Sequence, residues 1–331
     1  MKLVVLGAGA WGTALAISFS NRHEVTLWGR DEVHVAAVAA SRHNQRYLPD
    51  VILPNSIAVE KKLDLALANA DLALIATSTT GLGATTALLS RQSPKLPILW
   101  VCKGFDRATG LLPHETVGQL VGANSGIHFG ALSGPSFALE VAKGLPCALT
   151  LASNDLNFAR EMTAQLNGPV LRIYSSDDLV GVELGGALKN VLAIAAGICD
   201  GMQLGMNARA ALITRGLAEI VRLGVAMGGK PETFMGLTGL GDLVLTATGD
   251  LSRNRTVGVH LAQGRSLDAV LASLGHVAEG VNSAQTALAL AKKHGVDMPI
   301  TQAVNAVLFD NANPRETLRR LLSRDAKAES A

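Results

Sequence analysis

Short apolar runs, separated by stretches of helical periodicity, make up the first half of the chain. Continuous apolar runs of roughly four to eight residues are typical of strands buried on both faces, and the periodic stretches are typical of helices that cover a sheet. Such runs predict strands at residues 3–6, 24–28, 72–76, 98–101, 128–132, 148–152 and 170–174. Strands that alternate with helices favour the α/β class with a largely parallel, doubly wound sheet.

The pattern changes near Asp178. From about residue 180 the strand signals fade, and the sequence becomes rich in Ala, Leu and Gly with helical periodicity. A length of 331 residues fits two domains of the usual size. We therefore expect a sheet-containing domain at residues 1–178 and an all-helical domain at residues 179–331.

The charge balance gives no strong overall field. Lys and Arg number 29 and Asp and Glu number 27, so the net charge is +2, and neither nucleic acid nor a membrane surface is an expected partner. Three cysteines without CxxC spacing predict neither a disulfide framework nor a zinc site and favour a cytoplasmic protein. Eight histidines without HxxxH or HExxH spacing predict no metal site.

Membrane targeting is not favoured. The N-terminal run MKLVVLGAGAWGTALAIS resembles a signal peptide in its lysine and its apolar residues. The glycines that interrupt it favour a folded segment, because their spacing has a use in nucleotide binding. We expect no apolar stretch to reach the roughly 20 residues that span a bilayer.

Gly7, Gly9 and Gly12 form a GxGxxG pattern between the first predicted strand and an apolar helix. In this context Gly7 permits a tight turn, Gly9 lets the backbone approach a pyrophosphate, and Gly12 lets helix and strand pack closely. The helix N-terminus offers free N–H groups to the anion. With the second strand the segment makes a βαβ unit, which favours a Rossmann-type dinucleotide site over a purely structural turn.

Cofactor choice depends on the residues that end the second strand. NAD enzymes place an acid there for the ribose 2′-hydroxyl, whereas this chain has Gly29 and Arg30 in LWGRDE. An arginine can pair with a 2′-phosphate, which favours NADPH over NADH. Asp31 beside it is an argument for NADH, and a solvated Arg30 at a helix start is the structural alternative.

Candidate ligand residues follow two later strands. Lys103 comes directly after ILWVC, and Gly134, Ser136 and Ala138 lie in LSGPSFA. Ligands of doubly wound sheets bind beyond the carboxyl ends of the strands, so these residues are expected near a site. The structural alternatives are a turn at KGFD and a helix cap at SGPS with Pro135 as the first helical residue.

Lys189 stands in the most apolar part of the second half. In GGALKNVLAIAAG only Lys189 and Asn190 are strongly polar. A buried lysine has a lowered pKa, which suits a general acid or base near neutral pH. The alternative is a lysine whose stem lies along an apolar surface while its ammonium reaches water.

Two later segments supply partners for such a lysine. In TGLGDLVLTATGDLSRNRTVG, Asp242 lies in a predicted glycine-rich turn, and a predicted basic loop carries Ser252, Arg253 and Asn254. Hydroxyl, amide and guanidinium donors suit a phosphate monoester, although arginines in a loop are often only solvated. In HVAEGVNSA, Glu279 is a candidate to close over a nucleotide, or it marks a helix start.

These segments together resemble one family. GAGAWG, LSGPSFA, GGALKNVLAIAAG, TGLGDLVLTATGDLSRNR and VAEGV occur in the order and spacing of bacterial NAD(P)-dependent glycerol-3-phosphate dehydrogenases. The resemblance implies a Rossmann domain and a helical domain of the 6-phosphogluconate-dehydrogenase type, with the active site in the cleft between them. It implies reversible reduction of dihydroxyacetone phosphate to sn-glycerol 3-phosphate with NADPH or NADH, which feeds glycerophospholipid synthesis.

The resemblance also assigns roles to residues. It implies that Lys189 is the catalytic proton donor and acceptor, and we expect Lys103 to lower its pKa and Asp242 to anchor it. The residues implied to bind the triose are Lys103, Gly134, Ser136, Lys189, Asp242, Ser252, Arg253 and Asn254. Besides the three glycines, those implied to line the cofactor site are Ala10, Trp11, Arg30, Tyr47, Lys103, Ala138, Arg253, Val277 and Glu279. Many relatives carry serine in place of Ala10, so its contact is expected through the backbone.

Two other functions fit parts of the sequence. A sister dehydrogenase of a β-hydroxyacid or of 6-phosphogluconate shares the glycine pattern and a Lys-Asn pair, but it does not account for SRNR and LSGPSFA. A non-catalytic NADPH-binding protein leaves Lys189 and Asp242 without a purpose. The sequence does not determine the oligomeric state, for which a homodimer is one alternative.

Overall fold

The computed structural model of the chain describes residues 1–122, 125–274 and 278–323. Among these residues, strands occur only in the first part of the chain, up to residue 176. They are β1 (Lys2–Leu6), β2 (Glu24–Trp28), β3 (His43–Asn44), β4 (Leu48–Ile52), β5 (Ala58–Glu60), β6 (Leu72–Ile75), β7 (Ile98–Trp100), β8 (Phe129–Ser133), β9 (Cys147–Ser153) and β10 (Leu171–Ser176).

The main sheet has the strand order β10-β9-β8-β7-β6-β1-β2-β5. Neighbouring strands run parallel except for the antiparallel pair β8 and β9, which confirms the prediction of a largely parallel sheet. The predicted runs correspond to β1, β2 and β6 to β10. The sequence pattern missed the edge strand β5 and the separate hairpin β3–β4, because these are short segments without a continuous apolar run.

Helices pack on both faces of the sheet. Along β1, Leu3 and Val5 belong to one apolar core, whereas Val4 and Leu6 belong to another. This alternation is the pleat of a strand that is buried on both sides. The helices of this part are α1 (Ala10–Phe19), α2 (Glu32–Ser41), α3 (Leu63–Leu67), α4 (Thr79–Gln92), α5 (Pro113–Val121), α6 (Ala138–Ala142) and α7 (Leu156–Leu166).

The rest of the described chain is helical, as predicted. Its helices are α8 (Leu179–Gly201), α9 (Gly205–Ala226), α10 (Pro231–Met235), α11 (Asp242–Thr248), α12 (Arg253–Ala262), α13 (Leu267–Leu274), α14 (Glu279–Lys293), α15 (Pro299–Phe309) and α16 (Pro314–Leu322). A π-helical turn, Leu237–Gly241, leads into α11. The predicted polar tail after α16 begins at residue 324 and lies outside the described residues.

Helix α8 is the centre of the helical part. Asp178 caps it by accepting a hydrogen bond from Gly181 N at 2.8 Å, and it also accepts one from Lys230 N at 2.8 Å. Glycines let α12 approach α8 closely, because a Cβ at Gly197 would lie 2.0 Å from Arg255 O and one at Gly258 would lie 2.1 Å from Ile194 O. These close backbone contacts therefore fix the first half of α12 against the C-terminal half of α8.

The expectation that no apolar stretch reaches membrane-spanning length was wrong. Among the described residues, α8 has 23 residues with a mean hydropathy of 1.5 over its most apolar window, which satisfies the length and composition of a span. That window is 94% buried inside the protein. A helix enclosed by other helices has no surface for lipid, so α8 is a core helix of this fold.

Candidate active site

Lys103 and Lys189 meet at one carboxylate. Lys189 Nζ lies 2.5 Å from Asp242 Oδ1, and Lys103 Nζ lies 2.6 Å from Asp242 Oδ2. Lys189 is 6% exposed and Asp242 is 1% exposed. The interpretation of Lys189 as a surface lysine with a solvated ammonium is therefore wrong. Its charge is buried beside a carboxylate and a second ammonium at the junction of the sheet and the helical part.

The backbone around Asp242 brings the carboxylate close to α8. Asp242 is the first residue of α11 and follows the π-helical turn, so the prediction of a glycine-rich turn at this position was wrong. Gly185 makes room for that turn, since a Cβ there would lie 2.6 Å from Thr238 O. Small residues on α8 thus place the carboxylate within reach of Lys189, which lies about one helical turn further along.

Thr246 is a site residue that the sequence interpretation missed. Its Oγ1 accepts a hydrogen bond from Lys189 Nζ at 2.8 Å and donates one to Asp242 O at 2.7 Å. Residues four apart lie on the same face of a helix, so the spacing of Asp242 and Thr246 was an available signal. An ammonium has three N–H donors. Two of them are engaged within the described residues, which leaves one for a ligand.

The charges around Lys189 alter its acidity. Burial lowers the pKa of Lys189 from its ordinary 10.5 to about 8; the Asp242 carboxylate opposes this change, and the charge of Lys103 adds to it. The prediction that Lys103 lowers this pKa is thus confirmed in direction. A lysine with a pKa near 8 exchanges its proton readily at neutral pH, which is the property required of a general acid and base.

Gly134 and Ser136 lie beside Lys103. Lys103 Nζ donates a hydrogen bond to Gly134 O at 2.9 Å, and Ser136 Oγ donates one to the same oxygen at 3.0 Å. Gly134 has φ +143°, in the region that favours glycine. Pro135 is not the first residue of a helix, because α6 begins at Ala138 with Phe137 as its N-cap. The half-buried Ser136 therefore lies beside Lys103, and the half-buried Ala138 is the first residue of α6.

The SRNR segment is the beginning of a helix, so the predicted basic loop was wrong. Ser252 is the N-cap of α12 and accepts a hydrogen bond from Arg255 N at 3.2 Å. Arg253 is exposed, whereas Arg255 Nε is 2.7 Å from Asp200 Oδ2. The segment thus offers one free-standing guanidinium, on Arg253, at a helix N-terminus, where the peptide dipoles favour an anion.

Asn254 is buried between α8 and α14. Its Nδ2 donates a hydrogen bond to Asn190 Oδ1 at 2.9 Å, and its Oδ1 accepts one from Gly280 N at 3.0 Å. Asn190 adjoins Lys189 in the chain, so this bridge ties the start of α12 to the residue next to the catalytic candidate. Within the described residues Asn254 therefore holds the site together, and its role as a direct triose ligand remains a prediction.

Glu279 begins α14, which confirms a helix start at VAEGV. Glu279 is half-buried as a residue, and burial of its carboxyl raises the pKa of Glu279 against the opposing charges of Arg253, Lys103 and Lys189. The charges of all three basic residues therefore act on the Glu279 carboxyl. Val277, the other cofactor residue predicted from this segment, lies outside the described residues.

The glycine-rich turn has the form that a pyrophosphate requires. Gly7 has φ +133°, and a Cβ at Gly12 would lie 1.9 Å from Gly7 O, so both positions require glycine. A Cβ at Gly9 would meet nothing within 4 Å, which shows that the turn borders open space on that side. Ala10 and Trp11 form the first turn of α1, whose first N–H groups have no acceptor within the helix. These residues fit a dinucleotide.

The end of β2 and the start of α2 carry the residues predicted for the adenosine end of the cofactor. Arg30 is exposed at the end of β2, and Asp31 is the N-cap of α2, accepting a hydrogen bond from His34 N at 3.0 Å. The ring of Tyr47 makes an edge contact with His34, with the ring centroids 5.2 Å apart. His34 Nε2 in turn lies 3.3 Å from Ala8 O, in the glycine-rich turn.

A buried carboxylate joins α8 to the sheet. Glu183 accepts hydrogen bonds from Trp100 Nε1 at 3.0 Å and from His114 N at 3.0 Å, and it contacts His114 Nδ1 at 2.6 Å. Trp100 ends β7, directly ahead of Lys103, and Glu183 precedes Lys189 on α8. The contact therefore fixes the elements that carry the two lysines against each other.

Metal ligation was not expected from the sequence. Over the described residues there is no group of three or more His, Cys, Asp or Glu side chains that could hold a metal ion. Cys102, Cys147 and Cys199 are all free cysteines. Burial raises the pKa of the Cys147 thiol to about 11, so this cysteine is an unreactive neighbour of the lysines.

Comparisons with known proteins cover nearly the whole chain. The N-terminal family model of NAD-dependent glycerol-3-phosphate dehydrogenase matches residues 2–159, and the C-terminal model matches residues 178–319. A glycerol-3-phosphate dehydrogenase (NAD(P)+) of Thiobacillus denitrificans is 57% identical over 329 residues, which are 99% of this chain and 100% of the relative. One from Aromatoleum aromaticum is 54% identical over 330 residues, with the same coverage.

Solved structures agree with this result. The crystal structure of glycerol-3-phosphate dehydrogenase from Coxiella burnetii is 39% identical, with a TM-score of 0.92 over 98% of this chain and 99% of that one. A D-mandelate dehydrogenase with NADH has a TM-score of 0.62 at 14% identity, covering 96% of this chain and 100% of its own. At that identity the second likeness shows only a shared fold.

Proposed function

The chain belongs to the NAD-dependent glycerol-3-phosphate dehydrogenase family, and we propose that Lys189 is the proton donor with which it reduces dihydroxyacetone phosphate to sn-glycerol 3-phosphate. The enzyme is an oxidoreductase that uses NADPH or NADH. The observation that carries the proposal is the contact of two lysines with Asp242. This contact holds the ammonium of Lys189, with its readily exchanged proton, in a buried position.

The proposed chemistry follows from the charge at this position. When bound, a reduced nicotinamide would supply a hydride to the carbonyl carbon of the substrate. The free N–H donor of Lys189 hydrogen-bonds to the carbonyl oxygen, stabilises its growing negative charge, and transfers its proton to it. Lys189 is then neutral and regains a proton from water. In the reverse direction the neutral amine of Lys189 accepts the hydroxyl proton.

Asp242 and Thr246 orient the lysine. Their oxygens fix two of the three N–H directions of Lys189 Nζ, so the third has a defined direction toward a ligand. Asp242 also offsets part of the positive charge of the two lysines, which helps keep the protonated form of Lys189 accessible in a buried position. Lys103 adds positive charge on the side of Gly134 and Ser136, where we place the free hydroxyl of the substrate.

The start of α12 is the proposed phosphate site. The exposed guanidinium of Arg253 can bind a phosphate through two hydrogen bonds, and the helix N-terminus at Ser252 adds favourable dipoles. Asn254 links this helix start to Asn190 beside the catalytic lysine. Binding of the phosphate would therefore orient the carbonyl carbon relative to Lys189.

We propose that the cofactor lies along the glycine-rich turn with its adenosine at Arg30 and Tyr47, and that NADPH is preferred. Glu279, Arg253 and Ala138 border its nicotinamide end, and Val277 stays a predicted cofactor residue.

Residues 1–178 would form the dinucleotide-binding domain and residues 179–331 the substrate domain. We further propose a cytoplasmic enzyme, a product used in glycerophospholipid synthesis, and a homodimer as its assembly.

One assay tests the proposal. Purified protein is mixed with dihydroxyacetone phosphate, and the absorbance of NADPH and of NADH is followed in separate reactions. Oxidation of the nucleotide that depends on this substrate is expected, with NADPH giving the higher kcat/KM. Unphosphorylated dihydroxyacetone is the matched control and should react much more slowly. The absence of substrate-dependent oxidation with both nucleotides would overturn the proposal.

A further inference from the structure

The hairpin β3–β4 is anchored to the glycine-rich turn. Asn44 is fully buried, and its Nδ2 donates hydrogen bonds to Ala8 O at 3.0 Å and to Thr13 Oγ1 at 2.7 Å. Its Oδ1 accepts one from Tyr47 N at 3.3 Å. The residues between the two strands, which include Arg46 and Tyr47, are therefore held beside the dinucleotide site by side-chain contacts to that site's own backbone.

Arg46 reaches from this hairpin to the end of β2. Its guanidinium lies 5.1 Å from the centre of the Tyr47 ring, and Nη1 lies 3.6 Å from Asp31 Oδ2. The side chains of Arg46 and Asp31 are 59% and 55% exposed. Asp31 directly follows Arg30 in the chain. A second arginine thus approaches the adenosine end of the site from a different element.

Both oxygens of Asp31 already have partners. Oδ1 caps α2 through His34 N, and Oδ2 faces Arg46. In the free enzyme Asp31 thus caps α2 and faces Arg46, although its position beside Arg30 in the sequence suggested an acid for the ribose of NADH.

We infer that Arg46 is a second cation for the 2′-phosphate of NADPH and that Asp31 is its exchangeable counter-ion in the free enzyme. The inference rests on the proposed function and names a specificity residue of the same site. A 2′-phosphate carries close to two negative charges at neutral pH, so two guanidinium groups match it better than one. An exposed ion pair at 3.6 Å is weak, so a phosphate can displace the carboxylate.

The first test compares two substitutions that should change the KM for NADPH in opposite directions. Arg46→Gln retains an aliphatic stem over Tyr47 but removes the charge, and it should raise the KM for NADPH by roughly 5- to 20-fold while changing the KM for NADH less than about twofold. Asp31→Asn retains the helix cap and removes the competing charge, so it should lower the KM for NADPH by about two- to threefold. Asp50→Asn, an exposed acid on β4, is the control for a general change in charge.

The second test does not depend on turnover. Calorimetry measures the binding of adenosine 2′,5′-bisphosphate and of AMP to the unmodified protein and to Arg46→Gln. The substitution should weaken the bisphosphate by roughly 5- to 20-fold and leave AMP nearly unchanged. Equal losses for both ligands, or no loss for the bisphosphate, would overturn the inference. If the selective loss is found in a protein that does not reduce dihydroxyacetone phosphate, only the proposed reaction fails.

Discussion

Glu183 Oε2 lies 2.6 Å from His114 Nδ1, and this contact ties the first half of α8 to the start of α5. Burial alone would lower the pKa of His114, but the hydrogen bond and the charge of Glu183 raise it above its ordinary value. Burial raises the pKa of Glu183, which the imidazole opposes. The pair links α8, which carries Lys189, to α5, and the hydrogen bond from Trp100 to Glu183 adds β7, which precedes Lys103.

Glu183→Ala should therefore lower the free energy of unfolding by about 3 kcal/mol, because Trp100 and His114 lose their buried acceptor. Urea unfolding followed by tryptophan fluorescence measures the change.

The charged His114 stabilises the fold fully below its ordinary pKa of 6.5, and this contribution is lost as the pH rises through the raised value. The stability difference between the unmodified protein and His114→Gln should shrink over that rise. A constant difference would contradict the charged pair.

Lys189→Ala should reduce kcat by roughly 10²- to 10⁴-fold, because the carbonyl oxygen loses its proton donor. NADPH binding, measured by calorimetry, should persist, since Lys189 is not among the residues predicted to line the cofactor site. Lys293→Ala, at an exposed lysine, is the control and should keep kcat. Near-normal turnover of Lys189→Ala would remove its catalytic role.

The rate of reaction should depend on pH in opposite senses for the two directions. Reduction needs the protonated Lys189, so its kcat should fall as the pH rises through about 8, while glycerol 3-phosphate oxidation should rise through the same value. Lys103→Met removes a charge that lowers this pKa, so the inflection should move above 8. Initial rates across the range measure both effects. If the inflection of kcat against pH stays at the same pH in Lys103→Met, the assigned effect of Lys103 on the pKa of Lys189 is contradicted.

Arg253→Ala should raise the KM for dihydroxyacetone phosphate by roughly 10- to 100-fold, with a smaller change in kcat. The guanidinium is exposed at the start of α12 and is the proposed partner of the phosphate. Unphosphorylated dihydroxyacetone is the matched control, because its slow reaction should be little affected. An equal effect on both ketones would place the lost interaction elsewhere.

Gly9→Ala and Gly12→Ala separate binding from stability. A Cβ at Gly9 meets nothing within 4 Å, so the substitution should cost no more than about 1 kcal/mol of stability while raising the KM for NADPH at least tenfold. A Cβ at Gly12 would lie 1.9 Å from Gly7 O, so that substitution should destabilise the protein by about 3 kcal/mol or more. Thermal unfolding without cofactor distinguishes the two. Equal losses of stability would contradict the open space at Gly9.

Local periodicity was sufficient for most of the fold. The strands of the sheet, the glycine-rich turn and the change to helices near Asp178 follow from spacing over a few residues, since backbone geometry sets the repeat of each element. The apolar surroundings of Lys189 favoured a buried lysine with a lowered pKa but left a surface lysine as the alternative, and the contacts of α11 with α8 decided between them.

Tertiary structure alone decided which polar groups meet. Lys103 and Asp242 are 139 positions apart in the chain, yet their side chains form one ion pair. The sequence named Asp31 as an argument for NADH, but the fold turns its carboxylate to a helix cap and to Arg46. Contacts between distant elements depend on which faces pack together, and local patterns do not determine that. The amino-acid sequence thus determined the elements, and their packing determined the charge, direction and partners of each site residue.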